Sequence, residues 1–177
     1  MQRGLATLEI ILVTVIIGVL VKVAVPNVAR IIDTAALDYE TKRLYSELRF
    51  IEEMNRSSRI VPTGTGTTNL LVTSAVDKGG ENIILNIKRN ENCYQVFRGN
   101  SGKIPLREPH YFSYGVKIKL ESGTDTIIKI YFDSDGKATI NNKKSDTLIL
   151  TSRLGKKKYI IFDSVGRMRA SLTPAAN

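Results

Sequence analysis

The chain has 177 residues and 19.7 kDa, with 26 lysines and arginines against 17 aspartates and glutamates. That length allows one folded domain of ordinary size beside a long helix. The single cysteine, Cys93, excludes an intrachain disulfide and any cysteine-built zinc site, and it reads as a buried strand residue. The net charge of +9 is unevenly placed: residues 1–58 carry seven basic and seven acidic side chains, and residues 59–177 carry 19 and 10. Within the second part, Lys137 to Asn177 holds nine basic and two acidic residues. A basic end of this kind attracts polyanions (nucleic acid, anionic lipid or an acidic partner) or is a plain soluble surface.

In chain order, Met1-Gln2-Arg3-Gly4 precedes a nearly unbroken apolar run from Leu5 to Val25, 21 residues long. At about 1.5 Å per residue the run spans roughly 30 Å, the hydrocarbon thickness of a bilayer. Glu9 interrupts it, and an ionised side chain there costs on the order of 2.5–3.5 kcal/mol on insertion scales, so an idle carboxylate is a poor reading. Pro26 closes the run and marks a kink or break in the helix. Three readings compete: a plain single-pass anchor, a signal peptide cut after Ala24 or Ala29, and a short leader cut before the run. A carboxylate near the start of the apolar region argues against the second.

Gly4 at the cut, Glu9 at the fifth position after it and Pro26 at the twenty-second resemble the type IV pilin and pseudopilin family, as does Thr7-Leu8-Glu9. Leu5 departs from the Phe usual in that family. The resemblance implies that a prepilin peptidase cleaves after Gly4 and that the Leu5 amine is N-methylated. It also implies a head outside the cytoplasm, and assembly with other pilin or pseudopilin subunits through an inner-membrane platform. Charge alone does not fix the orientation, because Arg3 stands on one side of the run and Lys22 and Arg30 on the other. Cleavage would leave a charged amine on Leu5 about one turn from Glu9, and a buried charge is tolerable only when paired. Glu9 can neutralise its own amine or a neighbour's. The resemblance implies the neighbour's, which sets the axial register between subunits.

Beyond Pro26 the helical pattern resumes. Leu37, Leu44, Leu48, Ile51 and Met54 form one apolar face. Asp38, Glu40, Lys42, Arg43, Glu47, Arg49, Glu52 and Glu53 read as the charged remainder, and Asn55-Arg56-Ser57-Ser58 as the end. Three segments follow: a leader at 1–4, a helix at 5–58 with 5–25 transmembrane, and a head at 59–177. Pro62 to Thr68 is a Gly/Thr linker that lacks the Gly-Lys-Ser/Thr ending of a phosphate loop.

Every later segment reads as strand. Ile83–Ile87 and Cys93–Phe97 flank a polar hairpin turn. Val116, Ile118 and Leu120 alternate with Lys117, Lys119 and Glu121. Ile127–Phe132, Ala138–Ile140, Thr147–Thr151, Tyr159–Phe162 and Met168–Leu172 continue the series, so the expected class is α+β with antiparallel sheets. Phe132-Asp-Ser-Asp-Gly136 and Phe162-Asp-Ser-Val-Gly166 echo each other as glycine-closed hairpin turns. Asp133 and Asp135 match part of a calcium loop, but no distal Glu follows, and a turn is the better reading. His110, between Pro109 and Tyr111, reads as a loop or surface residue with no nucleophile positioned beside it.

Ile130 to Gly136 and Gly166-Arg167-Met168-Arg169 resemble the head of the GspH/FimT branch of minor pilins and pseudopilins. That resemblance implies a low-abundance filament subunit of a type IV pilus or type II secretion pseudopilus, with no catalysis and no cofactor. In FimT-like heads the Gly-Arg-x-Arg segment is associated with DNA uptake, a role that Arg167 and Arg169 inherit. On a strand the two arginines share a face, and Lys156, Lys157 and Lys158 are expected near them across the Phe162–Gly166 hairpin.

Overall fold

The computed structural model describes residues 2–57, 83–98, 104–133 and 135–174, with the side chains of residues 2–8 outside that description. The linker at 62–68 lies outside it as well. One helix, α1 (Gln2–Ser57), takes up the first 56 described residues and runs through Pro26 without a break. Pro26 has no N–H, so the carbonyl one turn earlier loses its helical donor. Beside it the Asn27 side-chain amide donates to the Val23 carbonyl at 3.1 Å. The helix ends where Asn55 to Ser58 was expected to end it.

Among the described residues ten strands follow: β1 (Ile83–Lys88), β2 (Cys93–Arg98), β3 (Ile104–Pro105), β4 (His110–Tyr111), β5 (Lys117–Leu120), β6 (Ile127–Phe132), β7 (Ala138–Ile140), β8 (Asp146–Thr151), β9 (Lys157–Phe162) and β10 (Met168–Ser171). They form two antiparallel sheets. The first has the order β3-β2-β1-β6-β7, with β4 also on β2, and the second β10-β9-β8-β5. The molecule is therefore α+β, a long apolar N-terminal helix packed on antiparallel sheets, which is a pilin-like architecture. The short strands β3 and β4 carry little apolar alternation and were not legible beforehand.

Alternation explains which side chains meet. In the second sheet Ile118, Leu120, Leu148, Leu150, Ile160, Phe162 and Met168 face inward, while Lys117, Lys119, Thr151, Lys157 and Arg169 share the opposite face. Inward residues of both sheets and the Leu37–Ile51 face of α1 form one core, joined across the sheets by Phe132 and Phe162 at 6.4 Å. Tyr45 and Met54 pack at its margin. Cys93 is buried in β2 as expected.

The reading of the helix's charged side needs correction. Glu40 is 0% exposed, Glu52 6% and Asp33 7%, so these three belong to the head-facing side. Glu40 and Asp33 are offset by polar groups that the tertiary fold supplies, and Glu52 by Arg49 at 2.9 Å and Arg56 at 3.6 Å on its own helix, as a buried carboxylate requires.

Candidate functional site

The first half of α1 is unsheathed. Its large apolar side chains from Ile10 to Ile32 are exposed, and the head makes its first buried contact at Asp33. Polar groups within and just after the run turn back on their own helix. Thr14 donates to the Ile11 carbonyl at 2.9 Å and Thr34 to the Arg30 carbonyl at 2.7 Å, which removes hydroxyls that an apolar medium would penalise. Glu9 is exposed at the outer end of this surface. The backbone of Gly4 and Leu5 is helical, and the Leu5 side chain lies outside the description.

The second half is clamped to the head by polar side chains. The Asp33 carboxylate accepts from the Ser152 hydroxyl at 2.6 Å and the Leu154 amide at 3.2 Å, fixing the loop between β8 and β9. Glu40 accepts from the Ser113 amide at 3.0 Å, the Ser113 hydroxyl, and His110 Nε2 at 2.8 Å. Burial pushes the Glu40 carboxyl up, but the Ser113 hydroxyl, His110 and the Ser113 amide together hold it below the usual glutamate range. His110 thus sits half-buried in β4 rather than on a free loop. Ser113 donates to the carboxylate and not to the imidazole, so the trio is a strut and lacks the geometry of a nucleophile–base pair. Asn55 bonds Ile83 N–H and the carbonyls of Ile83 and Phe132 at 2.9–3.1 Å, tying the end of α1 to β1 and β6.

The Gly-Arg-x-Arg segment closes the second sheet. Arg167 and Arg169 are exposed and Met168 is buried, the alternation expected of a strand. The Met168 carbonyl accepts from the Tyr45 hydroxyl at 3.1 Å and Arg49 at 3.4 Å, so α1 covers that edge of β10. The two echoed turns rest on each other. Gly136 and Gly166 have φ of 79° and 90°, and a β-carbon at Gly166 would stand 3.2 Å from both the Gly136 carbonyl oxygen and Lys137 Cγ. A β-carbon at Gly136 would meet Glu52 Oε1 at 3.2 Å and Arg56 Cδ at 3.3 Å. Asp133 Oδ1 is occupied by the amides of Asp135 and Lys137, the turn role expected of it.

Lys137 and Arg56 lie against the paired turns and Arg49 reaches the Met168 carbonyl, so these cations, not the lysine run, stand at the Gly-Arg-x-Arg end of the sheet. Register is the reason: Arg169 pairs with Ile161, and Lys157 lies four residues back along β9, about 13 Å away at the usual strand rise. Lys156, Lys157 and Lys158 stand at the opposite end of the hairpin. There Lys158 pairs with Asp38 at 2.6 Å, and Lys156 Nζ donates to the Thr34 hydroxyl at 2.5 Å. None of the three was legible in the sequence, because Lys137 and Arg56 arrive through the contact between the two turns and Arg49 through the packing of α1 on β10.

No family model, curated protein or solved structure matches this chain.

Proposed function

We propose that this chain is a membrane-anchored structural subunit of a pilus or pseudopilus-like filament, made as a precursor and cut after Gly4 by a prepilin peptidase. The observation that carries this reading is the single helix. Its first half exposes apolar side chains from Ile10 to Ile32, and its second half is clamped to a β head from Asp33 onward. Such a rod needs either a bilayer or like helices around it, and a filament subunit uses both in turn. Glu9, exposed near the start of the rod, is suited to pairing with the amine that cleavage leaves on a neighbouring Leu5. The subunit works without chemistry of its own, on an inner-membrane assembly platform that other proteins drive.

N-terminal sequencing of native protein, together with a filament-shearing assay on Glu9→Ala, tests this. The expected results are a mature start at Leu5, and a variant that is anchored and cleaved but missing from filaments. A start at Val25 or Arg30, or normal entry of Glu9→Ala into filaments, overturns it.

A second reading adds DNA capture by the head. It is favoured by the grouping of Arg167 and Arg169 with Lys137, Arg56 and Arg49 around the paired turns. Guanidinium forks suit phosphate oxygens, and such contacts are independent of sequence and weaken with salt. The full-length protein in neutral detergent should retain duplex DNA at low ionic strength, and Arg167→Ala with Arg169→Ala should lose most of it. Indifference of the unaltered protein to DNA removes this reading and leaves the filament role standing.

A further inference from the structure

Contacts with α1 order the head along the helix. The loop between β8 and β9 meets Asp33 and Thr34, Lys158 meets Asp38, Met168 meets Tyr45 and Arg49, and Gly136 meets Glu52 and Arg56. The β8–β9 loop is thus the tip of the head nearest the apolar run. It carries Arg153, Leu154 and Lys156, and Lys157 opens β9 beside it, all exposed. Register sets Lys117 and Lys157 on either side of Thr151 in one row of the outward face, so Lys117 joins the same end. Tyr114 stands beside Arg153 and Leu154 around a groove of about 500 Å³, whose helix side is Ala29 and Ile32. Asp33, the acidic residue lining that groove, is 7% exposed and accepts from Ser152 and Leu154, so it is already satisfied within the fold.

Two further features point outward from this tip. Tyr114 holds φ at 53°, a region that a bulky residue enters only when its surroundings impose it. The Asn92 amide on the Val116 carbonyl at 2.8 Å, and the Phe112 amide on the Asn92 carbonyl at 3.0 Å, fix that loop. The ring is left 68% exposed beside a 53% exposed Leu154. The height also fits. Ala29 and Ile32 lie four and seven residues beyond Val25, roughly 6 and 10 Å along the axis, against a headgroup layer about 5–8 Å deep in each leaflet.

We propose that this tip docks on anionic phospholipid headgroups of the leaflet from which α1 emerges. Arg153, Lys156, Lys157 and Lys117 face the phosphates, while Tyr114 and Leu154 enter the layer between headgroups and acyl chains. A ring with a polar tip and a neighbouring leucine belong at that depth, and cations beside them gain from a negative surface. A nucleic-acid backbone would use the cations and leave the two apolar side chains in water. The inference rests on α1 spanning the membrane.

The chain contains no tryptophan, so a single introduced one reports its own depth. Full-length Leu154→Trp and Val19→Trp are each reconstituted in phosphatidylcholine vesicles with or without phosphatidylglycerol, using lipids brominated high on the acyl chain. Val19→Trp should be quenched in both lipids. Leu154→Trp should be quenched at least threefold more in the anionic vesicles. Adding Arg153→Glu, Lys156→Glu and Lys157→Glu should abolish that difference, as should high salt. If Val19→Trp is quenched while Leu154→Trp keeps a water-exposed spectrum in both lipids, the docking is refuted and the span survives. If Leu154→Trp responds to protein density and not to lipid charge, a second copy covers the tip and the docking is again refuted. If Val19→Trp is not quenched, both ideas fall.

Discussion

Replacing Asn55 by alanine removes the knot that ties the end of α1 to both β1 and β6. The wild-type side chain is 6% exposed, donates to the Ile83 and Phe132 carbonyls at 3.0 and 3.1 Å, and accepts the Ile83 amide at 2.9 Å. Alanine leaves one buried N–H with no acceptor, at about 1–3 kcal/mol, and thins the bonding of two carbonyls that keep a second lone pair, at roughly 0.5–1 kcal/mol each. Together these come to about 4 kcal/mol, a large share of the 5–15 kcal/mol that holds a typical domain. At 1.4 kcal/mol per decade, the Ile83 amide should exchange with deuterium several hundred- to a thousandfold faster in Asn55→Ala. Denaturant titration in detergent, followed by β-sheet circular dichroism, should give the same free energy. If Ile83 exchange rises less than tenfold and the midpoint barely moves, the knot carries little and α1 is held by its apolar face alone.

The remaining predictions concern other joints. Glu40 is held below the usual carboxylate range when folded, so its stabilisation is complete above the unfolded value of about 4.3 and is lost as pH falls through the lower folded value. Thermal midpoints of the wild type should therefore decline below about pH 4.3. Glu40→Gln should start lower at neutral pH and decline less steeply, whereas parallel curves would contradict the assignment. Gly166→Ala should cost about 1–3 kcal/mol, because φ of 90° and a 3.2 Å approach to the Gly136 carbonyl both oppose a side chain. Gly155→Ala is its control: φ is 85°, but nothing lies within 4 Å of the new atom, so urea midpoints that shift equally would mean that the contact between turns is worth nothing.

What could be read in advance was local. Leu37, Leu44, Leu48 and Ile51 repeat at helical spacing and are buried as that spacing demands, and Val116, Ile118 and Leu120 alternate as a half-buried strand must. The glycine turns after Phe132 and Phe162 announced themselves because glycine accepts at no steric cost the positive φ that closes them. What escaped was decided by partners far away in sequence. Glu40 and Glu52 look like surface charges on a helical wheel. Glu40 is buried because His110 and Ser113 supply donors 70 and 73 residues later. The lysines at 156–158 seemed neighbours of Arg167 and Arg169 because they flank one hairpin. Its strand length separates them, and the contact between two turns recruits Lys137 in their place. The tight Asn141-Asn142 turn, with φ of 46° and 67°, went unread although asparagine is the residue most tolerant of those angles after glycine.

The joints at Asp33, Asp38, Glu40, Tyr45 and Asn55 are strung along roughly 33 Å of one rod, at 1.5 Å of rise per residue. A tug on the greasy end directed lengthwise strains all of them side by side, as in shear, and none can yield before the others. The same tug applied crosswise would peel them singly, beginning with Asp33. An extraction or retraction force aligned with the rod is thus the load this joinery withstands best.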